Sequence, residues 1–152
     1  MLIGVISDTH GLLRPEALVA LAEVEHILHA GDVGDFGILE ELRGIAPVTA
    51  IRGNVDVYGE CAKLPATEMV ELSGRYFYMV HSVHDLDIDP RAAGVDVVVS
   101  GHSHKPLIER KSDVMYLNPG SAGPRRFSLP VSVALVTVGE GKVEARIVDL
   151  QV

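Results

Sequence analysis

The chain has 152 residues, with 13 Lys and Arg against 21 Asp and Glu, a formal net charge of −8, seven His and one Cys. This length and the 47% apolar and 22% charged content predict a single globular domain over residues 1–152. The single Cys excludes an internal disulfide, and no apolar run approaches the roughly 20 residues of a membrane span. We therefore expect a cytoplasmic protein without membrane contact. The acidic charge disfavours stable nucleic-acid binding.

The first half of the chain alternates strands and helices. A buried strand is predicted over Leu2–Ile6, and a helix follows from Pro15 to about Glu25 because its apolar residues recur at helical spacing. A strand over His26–Ala30, a helix over Phe36–Arg43 and a strand over Val48–Ile51 come next. Such alternation with short connections is typical of βαβ units and a parallel sheet.

The second half reads as strands without long helices between them. The predicted strands are Thr67–Leu72, Arg75–Val80, Val95–Val99, Leu107–Arg110, Val114–Leu117, Ser132–Val138 and Val143–Val148. The first two form a hairpin around the Ser73-Gly74 turn, and the last four are expected in antiparallel pairs.

Polar side chains that bind metals follow five of the predicted strands directly. These side chains are Asp8 and His10, Asp32, Asn54, His81, and His102 with His104. In open α/β sheets, ligands bind beyond the carboxyl ends of the strands. We therefore expect these seven residues to meet at one rim of the molecule.

Carboxylate, amide and imidazole ligands without thiolate suit manganese, iron, zinc, cobalt or nickel. Seven ligands suffice for two ions if one carboxylate bridges them. Two ions about 3.5–4 Å apart can hold a hydroxide and stabilise both oxygens of an in-line displacement at phosphorus. Taken singly, a Gly-Asn pair is typical of a turn and a Gly-His-x-His segment equally fits a surface pair. Their joint appearance at strand ends favours a shared site.

Five short motifs resemble, in order, those of the calcineurin-like metallophosphoesterase superfamily. They are Ser7-Asp8-Thr9-His10, Gly31-Asp32, Gly53-Asn54-Val55-Asp56, His81 and Gly101-His102-Ser103-His104. The small size and Asn118-Pro119-Gly120-Ser121 resemble the small single-domain prokaryotic phosphodiesterase branch. The resemblance runs from Leu2 to about Leu135.

This resemblance implies an α/β fold, a four-layer αββα sandwich of two mixed β-sheets flanked by helices. It implies a phosphodiesterase acting on a small phosphoester through a hydroxide that bridges two divalent ions, with manganese the first expectation. The ligands implied for the first ion are Asp8, His10, Asp32 and His104. Those implied for the second are Asp32, Asn54, His81 and His102, with Asp32 bridging.

The sequence departs from the family pattern at two positions. Larger phosphatases of the superfamily have a His after Gly-Asn that acts on the leaving group, whereas this chain has Val55, which cannot donate a proton. His81 is usually followed by Gly and then His, whereas here the next imidazole is His84. Asn54 and His84 are therefore the candidate catalytic residues, and a loop-capping role for His84 is left open.

Further candidates have equally good structural explanations. Arg125 and Arg126 suit phosphate binding or form an exposed basic loop. His29 either orients a ligand or is a hydrogen-bonded buried residue, and Arg52 either meets substrate or pairs with a neighbour such as Asp56. The alternative function is a protein-binding scaffold on the same fold, like the retromer-subunit relatives that have lost activity. A homo-oligomer is compatible with the sequence.

Overall fold

The computed structural model describes residues 1–152 and contains ten strands and two α-helices. The strands are β1 (Leu2–Ile6), β2 (His26–His29), β3 (Val48–Ala50), β4 (Thr67–Leu72), β5 (Arg75–Val80), β6 (Val97–Val99), β7 (Leu107–Lys111), β8 (Val114–Asn118), β9 (Ser132–Gly139) and β10 (Lys142–Asp149). The α-helices are α1 (Pro15–Ala20) and α2 (Phe36–Arg43), and short 3-10 helices span Glu60–Lys63 and Val83–Asp85. Neither α-helix has the length or apolar sequence required to cross a membrane.

The strands form two mixed sheets of five. The first has the order β10-β9-β1-β2-β3 and the second has the order β4-β5-β6-β8-β7. In each sheet three strands run parallel, β1, β2 and β3 in one and β5, β6 and β8 in the other. The remaining strands join antiparallel. The predicted hairpin and both predicted antiparallel pairs are confirmed.

Alternating side chains of the strands build the core between the two sheets. Ile3 and Val5 on β1 face the second sheet and share a buried cluster with Phe77 and Met79 on β5. The next residue on β1, Ile6, belongs instead to the cluster that packs under the two α-helices. This period of two follows from the pleat of a strand and stacks the sheets face to face.

The predicted fold class is confirmed, with a difference in the outermost layer. Both α-helices pack on the first sheet through residues such as Ala17 and Leu39. The second sheet turns Tyr78 and Val98 outward, and Leu86 and Ile88 cover them from the irregular segment between β5 and β6. The fourth layer is therefore thin and holds one 3-10 turn rather than an α-helix.

Helix α1 is shorter than its apolar pattern predicts. The chain leaves the helix after Ala20 and continues in short-range turns, so that Ala22 N–H donates to Val19 O. Glu25 N–H then donates to Leu2 O at 2.8 Å, and the Glu25 carboxylate accepts from Leu2 N–H at the same distance. Pairing with β1 therefore ends the helix before the apolar periodicity does.

Candidate metal centre

The proposed ligands lie in loops that directly follow β1, β2, β3, β5 and β6, at the carboxyl ends of the parallel strands of both sheets. Backbone hydrogen bonds hold these loops together. His10 N–H donates to Asp32 O at 2.9 Å, and Gly101 N–H donates to His81 O at 2.9 Å. The arrangement predicted from the strand ends is therefore the one that the fold produces.

Five of the proposed ligands have left-handed backbone conformations. They are Asp8, His10, Asp32, His102 and His104, with φ between +45° and +69°. Only ten non-glycine residues in the chain have positive φ, so half of them belong to this one site. Such conformations are unfavourable for L-residues and concentrate at functional sites.

Two carboxylates and three imidazoles converge in a mostly buried cluster. Asp8 Oδ1 lies 3.5 Å from His104 Nε2, and it lies 3.8 Å from the Nε2 atoms of both His10 and His81. Asp32 Oδ2 lies 3.2 Å from His81 Nε2 and 3.5 Å from His10 Nε2. Each carboxylate therefore stands between at least two imidazoles.

The ligand atoms divide into two groups, in each of which they lie within 4.8 Å of one another. Asp8, His10 and His104 form the first group, and Asp8, Asp32 and His81 form the second. Asp8 is common to both groups, whereas the resemblance implied Asp32 as the shared ligand. Asp32 nevertheless reaches both His10 and His81, so both carboxylates occupy the centre of the cluster.

Unpartnered polar atoms test whether a metal fits here. In the whole chain, four buried side-chain nitrogen or oxygen atoms lack a hydrogen-bond partner, and they are Asp8 Oδ1, His10 Nε2, His81 Nε2 and His104 Nδ1. Buried polar groups are costly unless they are satisfied, and native proteins keep few such exceptions. All four belong to the cluster, and their donor set suits a divalent ion of the manganese-to-zinc series. The residues therefore fit a metal.

Neighbouring groups orient two of these ligands. Asp8 Oδ2 accepts hydrogen bonds from Ser7 Oγ at 2.7 Å and from His102 N–H at 3.1 Å, which leaves Oδ1 free. The His81 ring donates from Nδ1 to Ala30 O at 2.7 Å, because a carbonyl only accepts. This contact directs Nε2 toward the carboxylates, as is typical of metal-binding histidines.

Burial and mutual attraction shift two pKa values in the cluster. Burial would raise the pKa of Asp32, but the His81 imidazole and the Val55 N–H, which donates to Asp32 Oδ1 at 3.0 Å, lower it to about 2. Burial lowers the pKa of His81, but the Asp32 carboxylate and the Ala30 carbonyl raise it by more. Asp32 is therefore ionised throughout the neutral range, as a metal ligand must be.

The two remaining proposed ligands, Asn54 and His102, are exposed at the rim of the cluster. The His102 ring stands edge-on to the His81 ring, with 5.3 Å between centroids. Asn54 lines the same cavity as His81. On the other side, the rings of His10 and His104 lie 5.4 Å apart.

Asp56 is a buried support of the site, and the sequence motif Gly53-Asn54-Val55-Asp56 contains it without indicating this role. Its carboxylate accepts from the backbone N–H groups of Val33 at 3.1 Å, Gly34 at 3.0 Å and Gly53 at 2.8 Å. It therefore connects the loop of Asp32 to the loop of Asn54. Its place two residues after Asn54 was the one feature of the sequence that could have indicated this supporting role.

The Asn118–Ser121 loop also supports the site. Asn118 Nδ2 donates to Gly101 O at 2.9 Å and to Ser103 Oγ at 3.1 Å, within the His102–His104 loop. Ser121 Oγ donates to Asp8 O at 3.0 Å. The Asn118–Ser121 motif noted in the sequence thus holds two of the loops that bear proposed ligands, through hydrogen bonds to both.

His29 is fully buried and joins the first two loops. Gly31 N–H donates to its Nδ1 at 3.1 Å, so Nε2 carries the proton and donates to Thr9 Oγ1 at 3.0 Å. The Thr9 hydroxyl donates in turn to Val33 O at 2.9 Å. Burial lowers the pKa of His29 to about 4, so the ring is neutral in this network.

The weaker candidates lie outside the cluster. Arg125 donates to the backbone carbonyls of Leu129 and Val152, and Arg126 is exposed. Arg52 Nη1 donates to Leu64 O at 2.6 Å and forms no ion pair with Asp56. Arg52 lines the same cavity as Asn54 and His81, so contact with a substrate stays a prediction.

Comparison with known proteins identifies the family. Residues 1–141 match the family model of the calcineurin-like phosphoesterase superfamily domain. The chain belongs to this superfamily. It is 38% identical to a probable metallophosphoesterase of Methanothermobacter thermautotrophicus, over 97% of this chain and 92% of that protein. It is 30% identical to a phosphodiesterase of Methanocaldococcus jannaschii, over 79% of this chain and 83% of that protein.

Two solved structures share the fold. An archaeal phosphodiesterase superposes with a TM-score of 0.79 at 25% identity, over 97% of this chain and all of that one. Vps29 of Chaetomium thermophilum superposes with a TM-score of 0.78 at 21% identity, over 97% of this chain and 95% of that one. The family and its divalent-metal chemistry thus agree with the candidate metal centre, and the chain is a phosphoesterase-family hydrolase.

Proposed function

We propose that this protein hydrolyses phosphodiesters with two divalent ions, and that manganese is the metal it uses. The observation that carries this proposal is the set of four unpartnered buried atoms, all of which belong to side chains of one cluster of carboxylates and imidazoles. The first ion is assigned to Asp8, His10, Asp32 and His104. The second ion is assigned to Asp32, Asn54, His81 and His102.

The pairing of the imidazoles supports two ions rather than one. The rings of His10 and His104 lie beside each other, and so do the rings of His81 and His102. These are the two sets that the family motifs assign to different ions. The carboxylates of Asp8 and Asp32 lie between them, where either could be shared.

When bound, the ions would supply hydroxide for attack on phosphorus and positive charge for the phosphoryl oxygens. The protein holds the ligands ready for this. Hydrogen bonds from Ser7 and His102 fix Asp8, and the contact with Ala30 O fixes the His81 ring. Asn54 is exposed at the rim, where its amide is accessible to a phosphoryl oxygen.

The residue after Asn54 favours phosphodiesters that have good leaving groups. Val55 contributes its N–H to Asp32, but its side chain cannot protonate a departing alkoxide. A positioned acid typically accelerates such a step about 10²–10⁴-fold. His84 is exposed and lines a groove together with His102, which makes it the candidate acid in this proposal.

Metal analysis with a matched pair of variants tests the metal assignment. Asp32→Asn should lower the content of both ions and abolish hydrolysis of bis(4-nitrophenyl) phosphate. Asp35→Asn, at an exposed Asp that caps α2 through Gly37 N–H, should leave both unchanged. Full occupancy by two ions in Asp32→Asn would refute the assignment. A wild-type protein that binds two ions but hydrolyses no ester would favour the scaffold alternative.

The acid role of His84 has a separate signature. His84→Ala should slow esters with alkyl leaving groups about 10²-fold or more and leave esters with nitrophenyl leaving groups nearly unchanged, because only poor leaving groups need the proton. If His84→Ala and the wild-type protein hydrolyse both classes of ester at equal rates, His84 has a loop-capping role instead.

A further inference from the structure

A groove of about 490 Å³ opens beside the candidate metal centre on the outer face of the second sheet. His84 and His102 are among its lining residues, and the His102 ring lies 5.3 Å from the His81 ring of the candidate metal centre. Leu107, Glu109 and Lys111, which alternate along β7 and so share one face, line its length. The groove and the metal centre therefore share His102.

Apolar surface dominates this groove. Pro106, Leu107 and the ring of Tyr116 contribute carbon surface, and the ring of Tyr116 is partly exposed. Lys111 Nζ lies 5.6 Å from the centre of the Tyr116 ring and 3.6 Å from the Glu109 carboxylate. Lys105 adds a second positive charge, so the groove as a whole is positive.

The cavity on the other side of His81 has the opposite character. It is lined by Asn54, by one basic residue, Arg52, and by two acidic residues, Asp85 and Asp87, so its net charge is negative. An anionic phosphodiester that reaches the metal centre meets negative charge on that side. Its organic substituent therefore fits better on the side of His102.

The groove is also held in place by the supports of the metal centre. Asn118 Nδ2 donates to Ser103 Oγ, and the same hydroxyl accepts from Lys105 N–H at 3.2 Å. The position of Pro106 and Leu107 is thereby coupled to the loop of His102. A substrate bound to the ions would meet a groove whose loop is already in place, with the Lys111 ammonium over the Tyr116 ring.

We propose that this groove binds a planar ring on the substrate, an aryl group or a nucleobase, which stacks on Tyr116 and displaces the exposed Lys111 side chain from that ring. The inference rests on the proposed function and specifies its substrate class. Ligand sites commonly enclose about 300–1,000 Å³ and combine apolar walls with a few polar groups, as this one does. Aromatic stacking on a tyrosine is indifferent to the identity of the ring, while Lys105 and Lys111 favour an anionic ligand.

Matched ligands separate binding of the ring from binding of the phosphoryl group. Phenylphosphonate and methylphosphonate differ only in the ring, and calorimetry measures their dissociation constants on manganese-loaded protein without requiring turnover. Wild-type protein should bind the phenyl compound at least about fivefold more tightly, since stacking of a ring on an aromatic side chain typically contributes this much or more. Tyr116→Ala should remove the difference, and Tyr116→Phe should retain it. Inorganic phosphate should bind all variants equally.

Tyr76 provides the control variant. It lies two residues before Tyr78 on β5 and therefore on the same outer face of the second sheet. Tyr76 has 43% of its surface exposed and does not line the groove. Tyr76→Ala should preserve the preference for the phenyl compound. The pair of adenosine 5′-monophosphate and ribose 5-phosphate distinguishes the two ring types, because preference for the nucleotide through Tyr116 identifies a nucleobase.

Two outcomes would overturn the proposal. Equal affinities for the phenyl and methyl compounds in wild-type protein would show that the groove binds no ring. A change in oligomeric state in Tyr116→Ala, with ligand affinities unaltered, would assign the groove to contact with a second copy of the chain. If the wild-type protein discriminates the ligands through Tyr116 but hydrolyses no ester, the proposed function fails and the groove assignment stands.

Discussion

Removal of the Asp56 carboxylate should destabilise the protein and weaken metal binding together. Asp56 is 3% exposed and carries no metal in the proposed assignment. Its Oδ2 accepts from Val33 N–H and Gly53 N–H, and its Oδ1 accepts from Gly34 N–H. The three bonds span two loops that each bear a proposed ligand.

The size of the effect follows from the number of bonds that each variant leaves unmade. A hydrogen bond to a charged group contributes about 1.5–3 kcal/mol, and a buried donor without a partner costs about 1–3 kcal/mol. Asp56→Asn keeps the shape but turns an NH₂ group toward at least one backbone N–H, so we expect a loss of about 2–3 kcal/mol. Asp56→Ala leaves three N–H groups without this acceptor and should cost more, about 3–5 kcal/mol.

Urea unfolding of the metal-free variants measures the loss in free energy of unfolding, and metal titration measures the loss in metal affinity. Loss of such an outer support typically weakens metal binding about 10–100-fold. Asp35→Asn is the control, because Asp35 also accepts from one backbone N–H but is exposed, and Asn caps helices as well as Asp. A loss below about 1 kcal/mol in Asp56→Asn, with unaltered metal affinity, would refute the reasoning.

Two further predictions concern the same loops. Gly53→Ala should lower the free energy of unfolding by about 2–3 kcal/mol and release metal, because its Cβ would lie 2.8 Å from Asp32 Cγ. Gly139→Ala is the control, because a Cβ at Gly139 meets no atom within 4 Å. It should change neither the unfolding curve nor the metal content. Since burial lowers the pKa of His29 to about 4 from 6.5, the folded state binds fewer protons than the unfolded state between these values. The free energy of unfolding of metal-free protein should therefore fall by up to about 3 kcal/mol as the pH drops through this window. His29→Gln should flatten that dependence, and parallel curves for the two proteins would contradict it.

The sequence by itself was sufficient for the element order and for most element boundaries. Helix α2 and the hairpin of β4 and β5 begin and end where their patterns predict. The grouping of the proposed ligands at one edge was also predictable, because a short polar motif that directly follows a buried strand lies at the carboxyl end of that strand. Local pattern and global fold agree at these points.

The tertiary structure decided features that depend on contacts between distant residues. Helix α1 ends early because Glu25 pairs with Leu2, and the apolar spacing of α1 contains no information on that contact. The second sheet needed no outer helix because Leu86 and Ile88 already cover Tyr78 and Val98, which only the packed sheet shows.

The residues that hold the loops of the candidate metal centre in place were also visible only in the tertiary structure. Ser121 lies 113 positions from Asp8, to whose carbonyl it donates, and Asp56 lies 23 positions from Val33. The sequence identifies the side chains that are suited to bind metal, because that property belongs to each residue. It does not identify the residues that hold them in place, because a hydrogen bond between loops exists only after both sheets have brought those loops to one edge.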